Sequence, residues 1–254
     1  MDIARALRER RTRSRVSQLE LALRAGTTQR HVSFIESGRS APGRNMVVRL
    51  AESLELPLRE RNELLLAAGY APAYPESSLD DPALAPVRTA IHHILRGHLP
   101  YPALVTDRGG GLIAANDAFG LITEGAAAEL LGPGANVYRL ALHPDGLAPR
   151  ILNLAEWARH ILVRLDHLPE LRAELAAHVP DPEPSAGQLG FAVPLRLRSS
   201  HGELHLTTTV TTFATAVDVT LSELKLEAFL PADAETAAIL SAVAGSSTGA
   251  LPGV

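Results

Sequence analysis

The stretch from Ser17 to Arg39, SQLELALRAGTTQRHVSFIESGR, constrains the fold most, because it holds two short helical patterns separated by about three residues. Ser17 precedes the first pattern and Glu20 follows three residues later, which predicts a capping box in which the hydroxyl and the carboxylate reciprocally satisfy free amides at a helix start. Gly26 is expected to end this helix in a left-handed cap, and Thr28 to cap the next helix. The two helices must therefore cross over a tight glycine turn.

Similar patterns predict three more helices between Ile3 and about Ala68, so this region is expected to be an all-α domain of five helices. The first helix contains Ala6, Leu7 and the arginines that follow them. The third runs from Gln29 to about residue 37, where a glycine stops it. The last two lie in NMVVRLAESLEL and RERNELLLAAG.

The third helix carries more polar side chains than packing requires. Its apolar positions, Val32 and Ile35, are expected to face the core. Four side chains project on the other side: Gln29, Arg30, Ser33 and Phe34. A helix that presents Gln and Arg from its first turn, held across a second helix, has the geometry that enters the major groove of DNA. Gln can pair with adenine, Arg with guanine and Ser with either base, while an apolar edge can meet a thymine methyl group.

Further candidate contacts to DNA lie beside this helix: Ser17, Gln18, Thr28, Arg39 and Arg44. Ser17 and Gln18 stand at a helix start, which favours a phosphate, and the two arginines add backbone contacts. Through residue 68 the chain has 13 arginines and 8 acidic residues, a net charge of +5, whereas the remainder has 11 basic and 20 acidic residues, a net of −9. A polar helix face that is merely solvated, or that packs on a protein partner, is the alternative, but the local charge favours DNA.

The pattern changes after residues 69–86, GYAPAYPESSLDDPALAP, which are rich in Pro, Ser and Asp and predict a linker. PALVTDRGGGLIAAN predicts a strand, a glycine turn and a second strand, and NLAEWARHILVRLDHL predicts a helix. GELHLTTTVTTF and LSELKLEAFL alternate apolar and polar positions, as half-buried antiparallel strands do. Residues 87–243 are therefore expected to form an α+β domain with an antiparallel sheet, followed by a flexible tail at 244–254.

Several classes of site are not expected. The chain has no cysteine, which excludes disulfides and cysteine-based metal sites. Among its histidines, His92 and His93 point apart on a helix, and His160 and His167 lie two turns apart, so no metal site is predicted. The sequence lacks the common hydrolase and metalloprotease motifs, and the glycines at Gly109 lack the Lys and Ser of a phosphate loop. No catalytic residue and no cofactor are therefore expected.

A cytoplasmic location is expected for two reasons. No apolar run approaches the roughly 18 to 20 residues needed to span a bilayer, so no membrane partner is predicted. The N-terminus, MDIARALRERRTRSR, lacks the apolar core of a secretory signal.

Over about its first 56 residues the chain resembles the XRE-family helix-turn-helix of phage-repressor-like proteins. The resemblance rests on LRERR…VSQLELALRAGTTQRHVSFIESGRSAPGRNMVVRLAESL: Ser-Gln opens the second helix, Leu-Ala and Ala-Gly follow, a hydroxyl residue opens the recognition helix, and Ile-Glu precedes Gly-Arg. It implies a lambda-repressor-like domain of five helices that binds double-stranded DNA. Many relatives have a polar residue where Phe34 stands. The implied base-reading residues are Gln29, Arg30, Ser33 and Phe34, and the implied phosphate contacts are Ser17, Gln18 and Arg39.

The remainder, from about Leu64 to Leu240, resembles the MmyB-like ligand-binding domain of actinobacterial and related regulators. The segments that carry the resemblance are LLLAAGYAP, PYPALVTDR, IAANDAF, NVYRLALHPDGLAPRILNLAEWARHILVRL, TTFATAVDVTLSELKLEAFLPAD and TAAIL. It implies a PAS-like fold, an antiparallel sheet with helices over one face, and a pocket for a small, fatty-acid-like molecule.

From the residues themselves, the polar and aromatic candidates for such a pocket are Asn116, Arg139, His143, Trp157 and Phe213. Structural roles are the alternative. Asn116 would then cap the helix that follows it, Trp157 would be part of the core, and His143 would lie in a turn with Arg139 on the surface.

Together these patterns and the two resemblances predict a one-component, sequence-specific transcriptional regulator whose second domain forms a homodimer. The resemblance of the second domain implies that it binds an apolar effector. A two-fold dimer places two recognition helices about one DNA turn apart and requires an inverted-repeat operator. A second domain that only dimerises or binds a protein partner is the first alternative, and an exposed apolar patch would favour it over a closed cavity. An autoregulated enzyme is the second, although no acid and base groups stand at a recognisable spacing.

Overall fold

The computed structural model describes residues 2–179, 193–213 and 217–247, with side chains described as far as residue 244. The chain divides into two compact units. The first comprises Met1–Ser78 and Phe213–Ser222, and the second comprises Leu79–Thr212 and Glu223–Val254.

The first unit contains the five expected helices of the N-terminal region. They are α1 (Ile3–Arg13), α2 (Gln18–Arg24), α3 (Gln29–Glu36), α4 (Arg44–Ser53) and α5 (Leu58–Ala67). A further short helix of this unit, α12 (Val219–Glu223), comes from residues much later in the chain and ends at the unit boundary. The helix-turn-helix pattern is therefore confirmed within α2 and α3.

The helix starts follow the predicted caps with one correction. The Ser17 hydroxyl accepts a hydrogen bond from the Glu20 amide at 3.1 Å, and the Thr28 hydroxyl accepts one from the His31 amide at 3.2 Å. Half of the predicted capping box is wrong, because the Glu20 carboxylate pairs with Arg24 one turn later on the exposed face of α2. Gly26 has a φ of 61°, the left-handed conformation that allows the tight turn between the helices.

The core of the first unit lies where the apolar spacing places it. Val32 and Ile35 of α3 are completely buried, together with Leu21 of α2 and Leu50 of α4, in one apolar cluster. Burying one side of α3 in this way orients its opposite side outward.

The segment expected to be a linker is structured in its described residues. Asn62, which is buried on α5, accepts hydrogen bonds from the amides of Ala73 and Tyr74 and donates one to the carbonyl oxygen of Tyr74. Farther along, Pro82–Leu84 form a 3-10 turn, and α6 (Ala85–Gly97) includes the last two residues of the expected linker.

The second unit is α+β, as predicted, and is built on a five-stranded antiparallel sheet. The strands are β1 (Ala103–Thr106), β2 (Leu112–Ala115), β3 (Leu195–Ser199), β4 (Gly202–Thr212) and β5 (Lys225–Pro231), in the order β2-β1-β5-β4-β3. The helices after α6 are α7 (Phe119–Ile122), α8 (Ala128–Leu131), α9 (Val137–Leu142), α10 (Leu154–Arg164), α11 (Pro169–Ala176) and α13 (Ala234–Ser247).

Three sequence-based details of this unit need correction. The strand expected in LSELKLEAFL starts only at Lys225, because Asp218 accepts a hydrogen bond from the Leu221 amide and the preceding residues form α12. β3 was not predicted, although Leu195 and Leu197 alternate with arginines. Residues 244–247 of the expected tail belong to α13, which continues through Ser247, and residues 248–254 lie outside the described residues.

The sheet is covered on both faces at β1 rather than on one. Leu104 belongs to the main core of this unit, whereas its neighbours Ala103 and Val105 point to the opposite face and are equally buried. Helix α6 packs against β1 and β2 and buries Ile91 and Leu95. Of the helices in the described part of the chain, none is both long enough and apolar enough to cross a membrane.

Candidate functional site

The outward side of α3 carries the polar residues singled out from the sequence. Gln29 and Arg30 are exposed in the first turn, and Ser33 is partly exposed one turn later. Thr28 is exposed as well, although its hydroxyl is engaged as the helix cap. The spacing of these side chains on α3 puts them on one side of the helix, with the buried Val32 on the other. This side can therefore offer amide, guanidinium and hydroxyl groups to the edges of bases.

Phe34 forms an aromatic platform for two arginines. The Cζ atom of Arg30 lies 5.1 Å from the centroid of the Phe34 ring, and the Cζ atom of Arg39 lies 5.9 Å from it. Both distances are within the range of attraction between a cation and an aromatic ring. Phe34 stays a predicted base reader, and its half-buried ring also lies against both guanidinium groups. These contacts place two arginines beside the same side chain of α3.

Six arginines of the first unit are exposed and form no ion pair within the described residues: Arg8, Arg15, Arg30, Arg39, Arg44 and Arg49. Three of them lie on α3, in the loop after it and at the start of α4: Arg30, Arg39 and Arg44. Other arginines of the unit are neutralised locally by carboxylates: Arg5 by Glu9, Arg10 by Glu63, Arg11 by Glu36, Arg13 by Glu60, Arg24 by Glu20, Arg59 by Glu76 and Arg61 by Glu52. Arg44 opens α4, and Asn45, which the sequence reasoning missed, is exposed beside it.

The start of α2 is joined to the end of α3 by a buried carboxylate. Glu36 accepts two hydrogen bonds from Arg11, at 2.6 and 2.9 Å, and one from the Gln18 side-chain amide at 2.8 Å. Burial raises the pKa of Glu36, but the hydrogen bonds from Arg11 and Gln18 and the charges of Arg11 and Arg8 outweigh it, so the pKa is lowered overall. The Gln18 nitrogen, a candidate phosphate contact, is thus occupied within the unit, whereas the Ser17 hydroxyl still has a proton to donate.

The second unit contains an internal cavity between the helices and the sheet. Its volume is about 40 Å³, which is room for a few water molecules. Its lining is mostly apolar. The lining residues are Leu104, Phe119, Ile122, Val137, Tyr138, Leu140, Ala141, Leu147, Trp157, Ile161, Arg164, Leu195, Glu227 and Phe229.

Three polar residues converge on this cavity, and the sequence reasoning missed all of them. Arg164 of α10 forms an ion pair with Glu227 of β5, and the Glu227 side chain is 8% exposed. The Arg164 guanidinium carbon lies 6.0 Å from the centre of the Tyr138 ring. Burial raises the pKa of Tyr138, the Arg164 charge opposes the rise, and the Glu227 and Asp107 charges add to it. The cavity therefore combines apolar walls with one cation, one anion and one neutral hydroxyl.

The glycine run beside Gly109 serves the packing of Tyr138. Gly110 has a φ of 82°, and a Cβ atom at this position would collide with the Tyr138 ring. The Gly111 amide donates a hydrogen bond to the Asp107 carboxylate at 2.7 Å, which closes the turn between β1 and β2. These glycines are thus required by a turn that lies against a cavity residue.

Of the five pocket candidates chosen from the sequence, Trp157 lines the cavity and the other four do not. Asn116 is buried but satisfied, because it accepts from the Ala103 amide and donates to the carbonyl oxygens of Leu95 and Tyr101. Its side chain joins the start of β1 to the last turn of α6 and does not cap α7, the helix that follows it.

The other three pocket candidates, Arg139, His143 and Phe213, lie outside the cavity. Arg139 is exposed and pairs with both oxygens of Glu174, at 2.7 and 2.8 Å. The His143 ring accepts a hydrogen bond from the Asp145 amide within the turn. Phe213 belongs to the first unit and not to the unit that holds the cavity.

In the described parts of both units, no group of three or more His, Asp or Glu side chains is arranged to hold a metal ion.

Comparison with protein families matches both parts of the chain. A family model described as helix-turn-helix matches residues 7–61. A family model described as the MmyB-like transcription regulator ligand binding domain matches residues 87–243. No curated protein matches the chain at a significant level of sequence similarity. The chain therefore belongs to the family of MmyB-like transcription regulators, and it is a DNA-binding transcription regulator with a ligand-binding domain.

Proposed function

We propose that this protein is a one-component regulator that binds a specific operator through α3 and senses a small apolar effector in the cavity of the second unit. The observation that carries the proposal is that three unpaired arginines lie on α3, in the loop after it and at the start of α4, namely Arg30, Arg39 and Arg44, while Gln29 is exposed in the first turn of α3. Unpaired arginines can meet phosphates or guanines without first losing an internal partner. In this proposal Gln29, Arg30 and Ser33 read bases.

The roles of the flanking residues differ from one another. Arg39 and Arg44 are proposed to contact phosphates, with Ser17 donating its hydroxyl proton to another. Gln18 is proposed to contribute its backbone amide, because its side-chain nitrogen is bonded to Glu36. Thr28 and Phe34 are proposed to act by placing their neighbours, the first as a helix cap and the second as the arginine platform.

The proposed effector is a fatty-acid-like molecule with an apolar chain and an acidic end. The apolar walls suit the chain, and the Arg164 guanidinium suits the carboxylate, which would replace Glu227 as its partner. Because the cavity volume is only about 40 Å³, the cavity must widen as such a molecule enters. The proposal thus predicts that binding separates α10, which carries Arg164, from β5, which carries Glu227.

We further propose that the second unit is PAS-like and that the protein acts in the cytoplasm as a homodimer. A two-fold dimer would bind an inverted repeat with half-sites about one DNA turn apart. The antiparallel five-stranded sheet with short helices beside it supports the PAS-like assignment.

A module that binds a protein partner without any ligand is the second candidate function for the second unit. The partly exposed apolar residues Ile113, Val163 and Val210 are the observation in its favour. Catalysis is not proposed, because the matched families are domains of transcription regulators.

Native mass spectrometry of the purified full-length chain, followed by denaturing extraction, distinguishes these functions. The proposal predicts a dimer that carries a bound acid with an apolar chain. A dimer that carries no small molecule, and that takes up none when incubated with dodecanoate, would contradict the sensing function and favour the partner module.

A further inference from the structure

Residues 217–222 belong to the first unit although they lie inside the stretch matched by the ligand-binding family model. They follow β4, which ends at Thr212, and they precede β5, which starts at Lys225. Thr212 and Lys225 are paired across the two strands. A segment inserted between neighbouring strands of the sensor sheet is therefore part of the compact unit that contains the DNA-binding helices.

Within the first unit this segment bonds to residues 75–77. The buried Asp218 carboxylate accepts a hydrogen bond from the Ser77 amide at 3.1 Å. The Val219 amide donates to the Pro75 carbonyl oxygen at 2.8 Å, and the Val219 side chain is completely buried. The Ser77 amide and the Pro75 carbonyl oxygen are thus hydrogen-bonded to residues 218 and 219. Without these bonds, the two backbone groups would need water or another hydrogen-bond partner.

Residues 70–77 also form hydrogen bonds and an ion pair with α5, and a hydrogen bond with the loop after α3. Asn62 of α5 bonds the backbone of Ala73 and Tyr74, and Arg59 of α5 pairs with Glu76 at 2.6 Å. Nearer the start of the stretch, the Tyr70 hydroxyl donates to the carbonyl oxygen of Pro42 at 3.1 Å.

Pro42 lies between Arg39 and Arg44, the two proposed phosphate contacts. Hydrogen bonds therefore connect Asp218 to one end of residues 70–77, and connect the other end to the loop that carries these arginines.

We propose that residues 217–222 are a clasp that holds residues 70–77 on α5 and thereby keeps the loop from Arg39 to Arg44 in its DNA-binding form. Asp218 is the positioning residue of this clasp. The inference rests on the proposed function and adds a route by which the effector would regulate DNA binding. Strand β5, which carries the cavity residue Glu227, begins three residues after Ser222, so a change at the cavity has a short covalent path to the clasp.

Hydrogen exchange of the full-length protein tests the clasp without any DNA. Replacing Asp218 with Ala removes both acceptor oxygens, and we expect exchange in residues 73–78 and 217–222 to become about tenfold faster or more. Asp218→Asn keeps the shape and one acceptor oxygen and should restore most of the protection. Asp117→Ala, which removes an exposed carboxylate in the second unit, is the control and should change neither segment. Unchanged exchange in residues 73–78 of Asp218→Ala would overturn the proposal.

DNA affinity tests the consequence, using the sequence that the wild-type protein enriches from a random pool. For Asp218→Ala we expect the Kd for that DNA to rise about fivefold or more, within the usual range of coupling between sites. Titration at stoichiometric concentration gives the active fraction, which separates weaker binding from unfolding. An unchanged Kd together with faster exchange would overturn the coupling. If the wild type enriches no sequence, the proposed function itself fails, and the exchange experiment alone decides whether the clasp exists.

Discussion

The guanidinium carbon of Arg30 lies 5.1 Å from the centre of the Phe34 ring, one turn farther along the same helix. Arg39 approaches the same ring at 5.9 Å. The two cations therefore share one aromatic side chain. A side chain held in this way loses less conformational freedom on binding than a free arginine does.

Removing this platform should weaken DNA binding without removing any charge. For Phe34→Leu we expect a loss of about 0.5–1 kcal/mol per arginine, the usual strength of an exposed cation–ring contact. The slope of log Kd against log salt should stay the same, because the phosphate contacts remain. Fluorescence anisotropy at several salt concentrations measures both quantities. An unchanged Kd would show that the platform does not contribute to binding, and a smaller slope would show that Phe34 supports a phosphate contact.

The buried carboxylate Glu36 should make the stability of the first unit depend on acid pH. Burial raises the pKa of Glu36, but the hydrogen bonds from Arg11 and Gln18 together with the charges of Arg11 and Arg8 outweigh this rise, so the pKa is lowered overall. A carboxylate with a lowered pKa in the folded state stabilises the fold above its unfolded pKa of about 4.5. This contribution should be lost as the pH falls through the lower, folded pKa.

Glu36→Gln should therefore flatten this acid dependence, which can be followed by urea unfolding between pH 7 and pH 3. Near neutral pH we expect the free energy of unfolding to fall by about 1.5–3 kcal/mol, the contribution of a hydrogen bond to a charged group. Glu9→Gln, at an exposed pair with Arg5, is the matched control and should have little effect. An acid dependence that is the same in the wild type and in Glu36→Gln would refute the assignment.

Arg164 should determine whether the cavity prefers an acid. For Arg164→Leu we expect the Kd for dodecanoate to rise about tenfold or more, with little change for dodecanol, because only the acid forms a charged hydrogen bond. Isothermal titration calorimetry measures both. Since Arg164→Leu leaves Glu227 buried without its partner, the double variant with Glu227→Leu provides a folded comparison.

The control for this experiment is Arg139→Leu, which removes an arginine paired with Glu174 outside the cavity. It should bind dodecanoate as the wild type does. Equal losses for dodecanoate and dodecanol in Arg164→Leu would mean that the arginine shapes the cavity and does not recognise the acid.

Gly110 should be needed for the stability of the second unit. Gly110→Ala places a side chain at a φ of 82° and against the Tyr138 ring, so we expect the free energy of unfolding to fall by at least about 1–2 kcal/mol. Gly120→Ala is the control, because nothing lies within 4 Å of the added carbon atom. Differential scanning calorimetry should show a lower Tm for Gly110→Ala only. Equal Tm values for the two variants would mean that the turn can shift at little cost.

The features that the sequence predicted depend on neighbouring residues. The Thr28 cap and the turn at Gly26 are local, so the bounds of α2 and α3 could be predicted from the order of residues alone. The burial of Val32 and Ile35 follows from helical spacing in the same way.

The features that the sequence did not predict depend on distant pairs. Arg11 and Glu36 are 25 residues apart, and Arg164 and Glu227 are 63 residues apart, so no spacing rule connects them. Candidates chosen by residue type alone, such as Asn116, were satisfied by backbone groups that only the fold brings near. β3 is an exception, because the alternation of leucine and arginine at residues 195–198 was a visible signal for a strand.

Sequence-specific binding depends most on base reading by α3, and selection from a random DNA pool tests this base reading most directly. The full-length protein should enrich one sequence arranged as an inverted repeat. Arg30→Ala should bind that sequence about 1–3 kcal/mol more weakly and should enrich a sequence that is relaxed at one base pair in each half-site. Arg5→Ala, on α1, should enrich the wild-type sequence. No enriched sequence for the wild type, or an equal loss by Arg30→Ala on selected and random DNA, would contradict the claim that α3 reads DNA sequence.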